Sequence, residues 1–79
     1  MEMTLNEIKI GQTGIIRGFA KGATAYRQKL LAMGLIKGIA FKVIRVAPMG
    51  DPVEISVRDY NLSLRRDEAK ALLVAEGDK

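Results

Sequence analysis

The sequence predicts a mainly β fold, a small barrel of about five short strands with one short α-helix between the first and second strands. Segments with a period of two, such as Val53–Val57, are typical of strands with one buried face. Only Tyr26–Leu35 shows the pattern of a helix several turns long. A chain of 79 residues buries only ~60% of its unfolded surface. We therefore expect one domain, residues 1–79, with a bent sheet that leaves few exposed edges.

The first elements are a single helical turn and a strand. Thr4 and Glu7 have the spacing of a capping box, with Met3 and Ile8 placed as its hydrophobic staple. Thr13–Phe19 has the β-branched character of the first long strand, and the glycine at position 18 predicts a bend or bulge in it.

The helix has recognisable start and stop signals. Thr24 is placed to cap its beginning. Spacing on a helical wheel puts Tyr26, Leu30 and Met33 on one core-facing side and Leu31 outside that side. Gly34 predicts a left-handed ending of the Schellman type, in which Leu35 contacts Leu30.

The second half alternates strands and tight turns. Ala40–Ala47 places Phe41 and Val43 on one face and then shifts phase to Ile44 and Val46, which predicts a bulge. The remaining predicted elements are a type I turn at Ala47–Gly50, a strand at Val53–Val57, a reversal at Asp59–Asn61, a strand at Leu62–Leu64, a helical turn within Arg65–Ala71 and a last strand at Leu72–Glu76.

Charge is distributed unevenly along the chain. Residues 8–50 contain eight Lys and Arg and no Asp or Glu, whereas the rest has five basic and nine acidic residues. A positive face would attract an acidic protein, a phosphate backbone or an anionic membrane surface. The same residues also fit an ordinary solvated exterior, so both interpretations stay open at this point.

The residue types argue against several functions. The chain has no Cys and no His, so we expect no metal site, no cofactor and no catalytic residues. It has no phosphate-binding glycine motif and no apolar run of the ~18 residues that a membrane span needs. We expect a cytoplasmic protein that is not an enzyme.

Nucleic acid is a less favoured partner in this sequence. Small barrels that bind single strands usually combine a positive groove with exposed aromatic side chains. Phe19, Phe41 and Tyr26 are expected in the core, so Tyr60 is the one aromatic side chain expected to be available for stacking on a base. Binding through phosphates alone would be sensitive to salt.

Surplus apolar residues favour a protein partner instead. Leu31, Ile36 and Met49 are not needed by the core pattern. Together with Leu35 and the nearby basic residues they would form an apolar patch with a positive rim, as interfaces do. The predicted partner-binding residues are therefore Arg27, Lys29, Leu31, Leu35, Ile36, Lys37 and Met49, and the same patch or the barrel edges would also allow self-association.

Several blocks in order resemble the FeoA family across almost the whole chain. The most specific are Gly34-Leu35 with Gly38, and Pro48 with Gly50-Asp51-Pro52-Val53-Glu54-Ile55. Supporting blocks are Leu5–Gly11, Gly14-Ile15-Ile16, Tyr26–Leu30, Met33, Val46-Ala47 and Leu64–Ala69. The family often has proline where this chain has Ile10 and Lys37.

The resemblance implies an SH3-like barrel and a small cytosolic accessory role in bacterial ferrous iron uptake. The implied partner is the FeoB-type permease, which carries a cytosolic GTPase region and would recruit the protein to the inner face of the membrane. The family supplies no catalytic residues to carry over. An alternative is an SH3-like regulatory or nucleic-acid-binding barrel related to the C-terminal domain of DtxR-type repressors.

Overall fold

The computed structural model describes residues 3–22 and 24–77 and contains one six-stranded antiparallel sheet. The strands are β1 (Met3–Thr4), β2 (Thr13–Phe19), β3 (Ala40–Val46), β4 (Val53–Val57), β5 (Tyr60–Leu64) and β6 (Leu72–Glu76). The α-helices are α1 (Thr24–Ala32), between β2 and β3, and α2 (Arg66–Lys70), between β5 and β6. Among these described residues, no helix has the length and apolar character required to traverse a bilayer.

The mainly β fold with one principal helix is confirmed, but the strand count and the closure differ. Six strands form instead of about five, because the two residues of β1 pair with β6 ahead of the predicted helical turn. The helix therefore follows the second strand. Two residues are too few to show alternation, so the pattern could not reveal β1.

The sheet runs in the order β1-β6-β2-β3-β4-β5, and within the described residues β1 and β5 remain its edges. It is bent but not closed by a ladder between these two strands. The gap is covered by α2, which packs against β5 and against the 3-10 turn that follows β1. The sequence predicts a barrel in which strand pairing leaves few exposed edges. In the structure, α2 instead covers the gap between the two edge strands.

The core lies on the concave side of the sheet. Its fully buried aliphatic side chains come from five strands, from α1 and from the 3-10 turn between β1 and β2, including Leu5, Ile16, Leu30, Val43, Ile55, Leu64 and Leu72. Tyr26 of α1 and Met33, which directly follows the helix, are partly buried against this core. The predicted inward face of α1 is therefore confirmed.

Both predicted bulges are present. The β2–β6 register shifts between Ile16 and Gly18, and the β3–β4 register shifts between Val43 and Arg45. The second bulge occurs at Ile44, whose side chain remains exposed while Val46 is half-buried. Ile44 was expected on the buried face together with Val46, but it does not join the core. The alternation of buried and exposed residues does shift by one position after the bulge.

The turns account for the remaining differences. Gly50 N–H donates to the Ala47 carbonyl over 2.8 Å. Met49 between them has φ 70° and ψ 11°, which is the third position of a type II turn and not the predicted type I. The second reversal is Arg58-Asp59, because Val57 pairs with Tyr60.

The start of α1 falls partly outside the description. The helix begins at Thr24 itself, so the position before it is Ala23, which lies outside the described residues. The predicted cap by Thr24 therefore stays a prediction. At the N-terminal turn the prediction is confirmed, since Thr4 N–H donates to Glu7 Oε2 over 2.9 Å.

Candidate docking surface

The end of α1 is a Schellman motif, as the sequence predicts. Gly34 has φ 90°, a left-handed conformation that favours glycine. Gly34 N–H donates to the Leu31 carbonyl over 3.0 Å, and Leu35 N–H donates to the Leu30 carbonyl over 3.1 Å. These two bonds are the pair that defines the motif. The chain reverses here and sends Leu35 into the core.

Tyr60 at the start of β5 reinforces this helix end. Its hydroxyl donates to the Met33 carbonyl over 2.9 Å. A Cβ added at Gly34 would lie 2.5 Å from the Tyr60 hydroxyl oxygen, so the glycine also provides space for the tyrosine. Met33 and Tyr60 are 27 residues apart, and no local pattern in the sequence predicts their contact.

Three large side chains remain exposed around this helix end. Leu31, Ile36 and Tyr60 are 39% to 46% exposed, and we call these three residues the helix-end patch. Ile36 N–H donates to the Gly34 carbonyl over 3.0 Å, which fixes the loop that carries Ile36. The patch therefore rests on a hydrogen-bonded backbone.

Leu35 does not belong to this surface. It was predicted as a contact residue, but it is fully buried. The same Schellman geometry that exposes its neighbours directs this side chain inward against the helix. Its role is to anchor the helix end.

The predicted basic rim is only partly available. Lys29 Nζ lies 2.5 Å from Glu68 Oε2, so this cation joins α1 to α2. The Arg27 guanidinium lies 5.8 Å from the centre of the Phe19 ring, within the range of a cation–π contact. Lys37, next to Ile36, is exposed. The positive charge nearest the patch in sequence is therefore Lys37.

Met49 lies on a different part of the molecule. It is 83% exposed at the tip of the β3–β4 loop. Its carbonyl accepts from Arg66 Nη1 over 3.3 Å, so the loop is tied to α2. In the part of the chain that the structure describes, the hydrogen bond of Met49 leads to α2 and not to the helix-end patch.

Glu68 is a buried carboxylate with two partners. It accepts from Arg65 N–H over 2.9 Å and from Lys29. Burial by itself raises the pKa of Glu68, but the bond from Lys29, the bond from the Arg65 amide and the two positive charges outweigh that effect and hold the pKa below its ordinary value. Glu68 is therefore ionised at neutral pH and stabilises the contact between the helices.

A cleft of about 380 Å³ lies beside this ion pair. Its walls are Lys29, Asp51, Pro52, Ser63, Arg65 and Glu68. Three of these charged side chains are already bound within the molecule. Lys29 and Glu68 form the ion pair, and Asp51 Oδ1 accepts from Arg66 N–H over 3.3 Å. In residues 3–22 and 24–77, no three His, Cys, Asp or Glu side chains are grouped to hold a metal ion. The cleft is polar, with acidic and basic groups in similar number.

The aromatic residues are placed as the sequence predicts. Phe41 is buried, while Phe19 and Tyr26 are partly buried against the core. Tyr60 is the more exposed ring, but its hydroxyl is bound to the helix end. The described residues therefore present no row of stacked aromatics of the kind that single-stranded nucleic acids use.

The bent antiparallel sheet and the helix that covers its gap define a small SH3-like domain. The FeoA domain model matches residues 3–76. The chain therefore belongs to the FeoA family, whose members are associated with ferrous iron transport.

Individual relatives agree with this assignment. A Porphyromonas gingivalis fusion of Fe(2+) transport protein A with the Fe(2+) transporter FeoB is 36% identical over 72 residues, which is 91% of this chain and 8% of that protein. The solution structure of a FeoA-like protein from Clostridium acetobutylicum is 35% identical with a TM-score of 0.87, covering 99% of this chain and 90% of the other. The Stenotrophomonas maltophilia FeoA, a zinc complex described as a prokaryotic SH3 domain protein, is 25% identical with a TM-score of 0.77, covering 91% and 88%.

A protein outside the FeoA group also shares the architecture. T. acidophilum IdeR has a TM-score of 0.83 over 96% of this chain and 34% of its own, at 21% identity. This level of identity shows the fold alone. The family assignment therefore rests on the FeoA domain match over residues 3–76.

Proposed function

We propose that this protein is a non-catalytic accessory component of ferrous iron uptake that docks on the cytosolic GTPase region of a FeoB-type permease. The observation that carries the proposal is the Porphyromonas gingivalis relative, in which both proteins are one polypeptide. Joining two proteins in one chain raises their effective concentration and is suited to partners that act together. The protein acts in the cytoplasm, and its partner recruits it to the inner face of the membrane.

The helix-end patch is the proposed docking surface. Leu31, Ile36 and Tyr60 are exposed on a backbone that is fixed by the Schellman bonds and by the Tyr60 hydroxyl. A rigid surface loses little conformational entropy on binding. Apolar side chains beside an exposed Lys37 have the composition of an interface with a polar rim. Arg27 is proposed as a peripheral contact, whereas Lys29 is held by Glu68 and Met49 lies in the β3–β4 loop.

The test is binding of the purified protein to the purified cytosolic region of the permease. Leu31→Asp and Ile36→Asp place a charge in the patch, and each should weaken binding by about 2 kcal/mol, as substitutions at the centre of an interface do. Titration calorimetry measures this directly. Melting temperature and circular dichroism should stay near wild type, because neither side chain is buried.

Ile10→Asp is the matched control. Ile10 is at least as exposed as the patch residues but lies in the loop before β2, so this variant should bind as wild type does. If Leu31→Asp and Ile36→Asp also bind as wild type does, the patch is not the docking surface. If the wild-type protein does not bind the cytosolic region at all, the partner assignment itself is wrong.

A regulatory or nucleic-acid-binding role is the second candidate, favoured by the architecture shared with IdeR. Such binding would depend mainly on phosphate contacts, since the exposed aromatic residues are few. It would then weaken steeply with rising salt. Affinity for short duplex and single-stranded DNA measured across a salt series decides this. We expect no binding above the non-specific level.

A further inference from the structure

A second exposed surface lies on the outer side of β2 and β3. Ile15 of β2 pairs across the ladder with Ala40, and Thr13 pairs with Lys42. Ile44 at the bulge is exposed on the same strand. Because alternate residues of a strand point to the same side, Ile15 and Lys42 project together away from the core.

The loop before β2 extends this surface. Gly11 N–H donates to the Val43 carbonyl over 2.8 Å, and Val43 N–H donates to the Gln12 carbonyl over 2.9 Å. The loop that carries Ile10 therefore runs beside β3 at the position of the bulge. Ile10, Ile15 and Ile44 are 37% to 59% exposed. We call these isoleucines, together with Lys9, Arg17, Lys42 and Arg45, the outer β2–β3 face.

The charge of this face is strongly positive. It contains four basic residues from the acid-free stretch. Two acidic residues adjoin it in the described part of the sheet: Glu54 on β4, whose Oε1 lies 3.8 Å from Arg45 Nε, and Glu76 on β6, which pairs with Gly14 of β2. Among the described residues, neither Arg17 nor Lys42 takes part in an ion pair. A second copy of the same face would repel it, whereas an anionic surface would attract it.

We propose that the outer β2–β3 face binds directly to an anionic membrane surface. Its apolar residues are all aliphatic, without the Trp and Tyr that are enriched at the energetic centres of protein interfaces and without the aromatic rings that single-stranded nucleic acids use. Aliphatic side chains can enter the headgroup boundary while Lys and Arg extend their charges to the lipid phosphates. This surface is distinct from the helix-end patch, and the proposal goes beyond docking on the permease.

The test uses the purified protein and vesicles that contain no protein. Wild type should bind vesicles of phosphatidylcholine mixed with phosphatidylglycerol and not vesicles of phosphatidylcholine alone, as measured by flotation. Each basic residue near an anionic surface contributes about a fivefold change in partition, so Arg17→Gln with Lys42→Gln should lower binding by about 25-fold. Ile10→Ser should weaken binding without any change in charge.

The matched control is Lys21→Gln with Lys70→Gln. It removes the same charge from residues that line a cleft beside α2, and it should bind close to wild type because surface charges act within about a Debye length. Unchanged melting temperatures show that all variants fold.

Three outcomes would overturn the proposal. The first is no binding to anionic vesicles, and the second is an equal loss in the control pair. The third is wild-type binding by Ile10→Ser together with equally tight binding of soluble polyglutamate, which would assign the face to an acidic polypeptide. Because no permease is present, failure here leaves the docking proposal untouched.

Discussion

At the level of single residues, Gly34 determines how the helix-end patch is built. Its positive φ turns the chain at the end of α1, and its missing side chain leaves space for the Tyr60 hydroxyl. Gly38, four residues later, also has a positive φ of 95°, but a Cβ there would meet nothing within 4 Å. The two glycines therefore separate the effect of conformation from the effect of contact.

Gly34→Ala should destabilise the protein more than Gly38→Ala. Both substitutions incur the penalty of about 1–2 kcal/mol for a left-handed residue with a side chain. Gly34→Ala should cost about 1 kcal/mol more, because the new methyl group displaces the Tyr60 hydroxyl from its hydrogen bond. Urea unfolding measures both free energies. In a Tyr60→Phe background the two losses should become equal, and an excess that persists there would contradict this explanation.

Met49 occupies a left-handed position without being glycine or asparagine. Met49→Gly should raise the free energy of unfolding by about 0.5–1 kcal/mol, since the relieved strain exceeds the added freedom of the unfolded chain. Met49→Ala is the control, because it removes the exposed side chain but keeps the strain. If alanine stabilises as much as glycine in thermal unfolding, the side chain and not the backbone is responsible.

At the level of elements, the pair Lys29–Glu68 connects the two α-helices. The carboxylate is buried and its lysine partner is largely exposed, so the energetic cost of losing the pair falls mainly on Glu68. The lysine is drawn from the end of α1 toward α2, away from the predicted rim. Lys29, which the sequence alone assigned to partner binding, is therefore used in a contact within the molecule.

Glu68→Gln should destabilise the protein at neutral pH by about 1.5–3 kcal/mol, the range for a hydrogen bond to a charged group. The pKa of Glu68 is lower in the folded state. Its stabilisation is therefore complete above the ordinary glutamate pKa and is lost as the pH falls through the lower folded value. The difference between variant and wild type should shrink over that acidic range. Denaturation at a series of pH values measures it.

Asp67→Asn is the control for this titration. Asp67 is exposed on the same helix, so its replacement should alter stability little at any pH. A difference between Glu68→Gln and wild type that stays constant down to the most acidic pH would show that shape, not charge, makes residue 68 important.

The sequence predicted well those elements whose signals are local. The Schellman ending needs only Gly34 and its neighbours, and the alternation of Val53–Val57 is complete within one strand. The type of the β3–β4 turn was predicted wrongly, because Pro48 suits both type I and type II turns and methionine gives no sign of a positive φ. Local patterns in the sequence identify helices and strands, but they do not identify residues such as Met49 that adopt a positive φ.

At the level of the whole molecule, the arrangement of the strands could not be predicted in the same way. The last strand, β6, lies between β1 and β2, and an alternating pattern does not specify which strand pairs with which. The candidate site shows the same limit. The sequence predicted Leu31 and Ile36 as exposed residues, but it misplaced Leu35 and missed Tyr60, because burial and long-range contacts depend on the assembled fold.

The charge asymmetry of the sequence partly survives folding. Of the eight basic residues in the acid-free stretch, Lys29 and Arg45 meet acidic partners from the second half of the chain. Arg17 and Lys42 remain on the outer β2–β3 face. The folded molecule therefore keeps a positive side, which can orient it toward anionic surfaces before contact is made.

The pairing of Met3 with Val74 and of Thr4 with Leu73 has a geometric consequence for tethering. Since the opening and closing strands lie side by side, a linker attached at either end would leave the domain from the same corner. The domain would then rotate about the same point of attachment, whether the linker joined its first or its last strand. Its two candidate faces would then be presented in the same way to a neighbour on the same polypeptide.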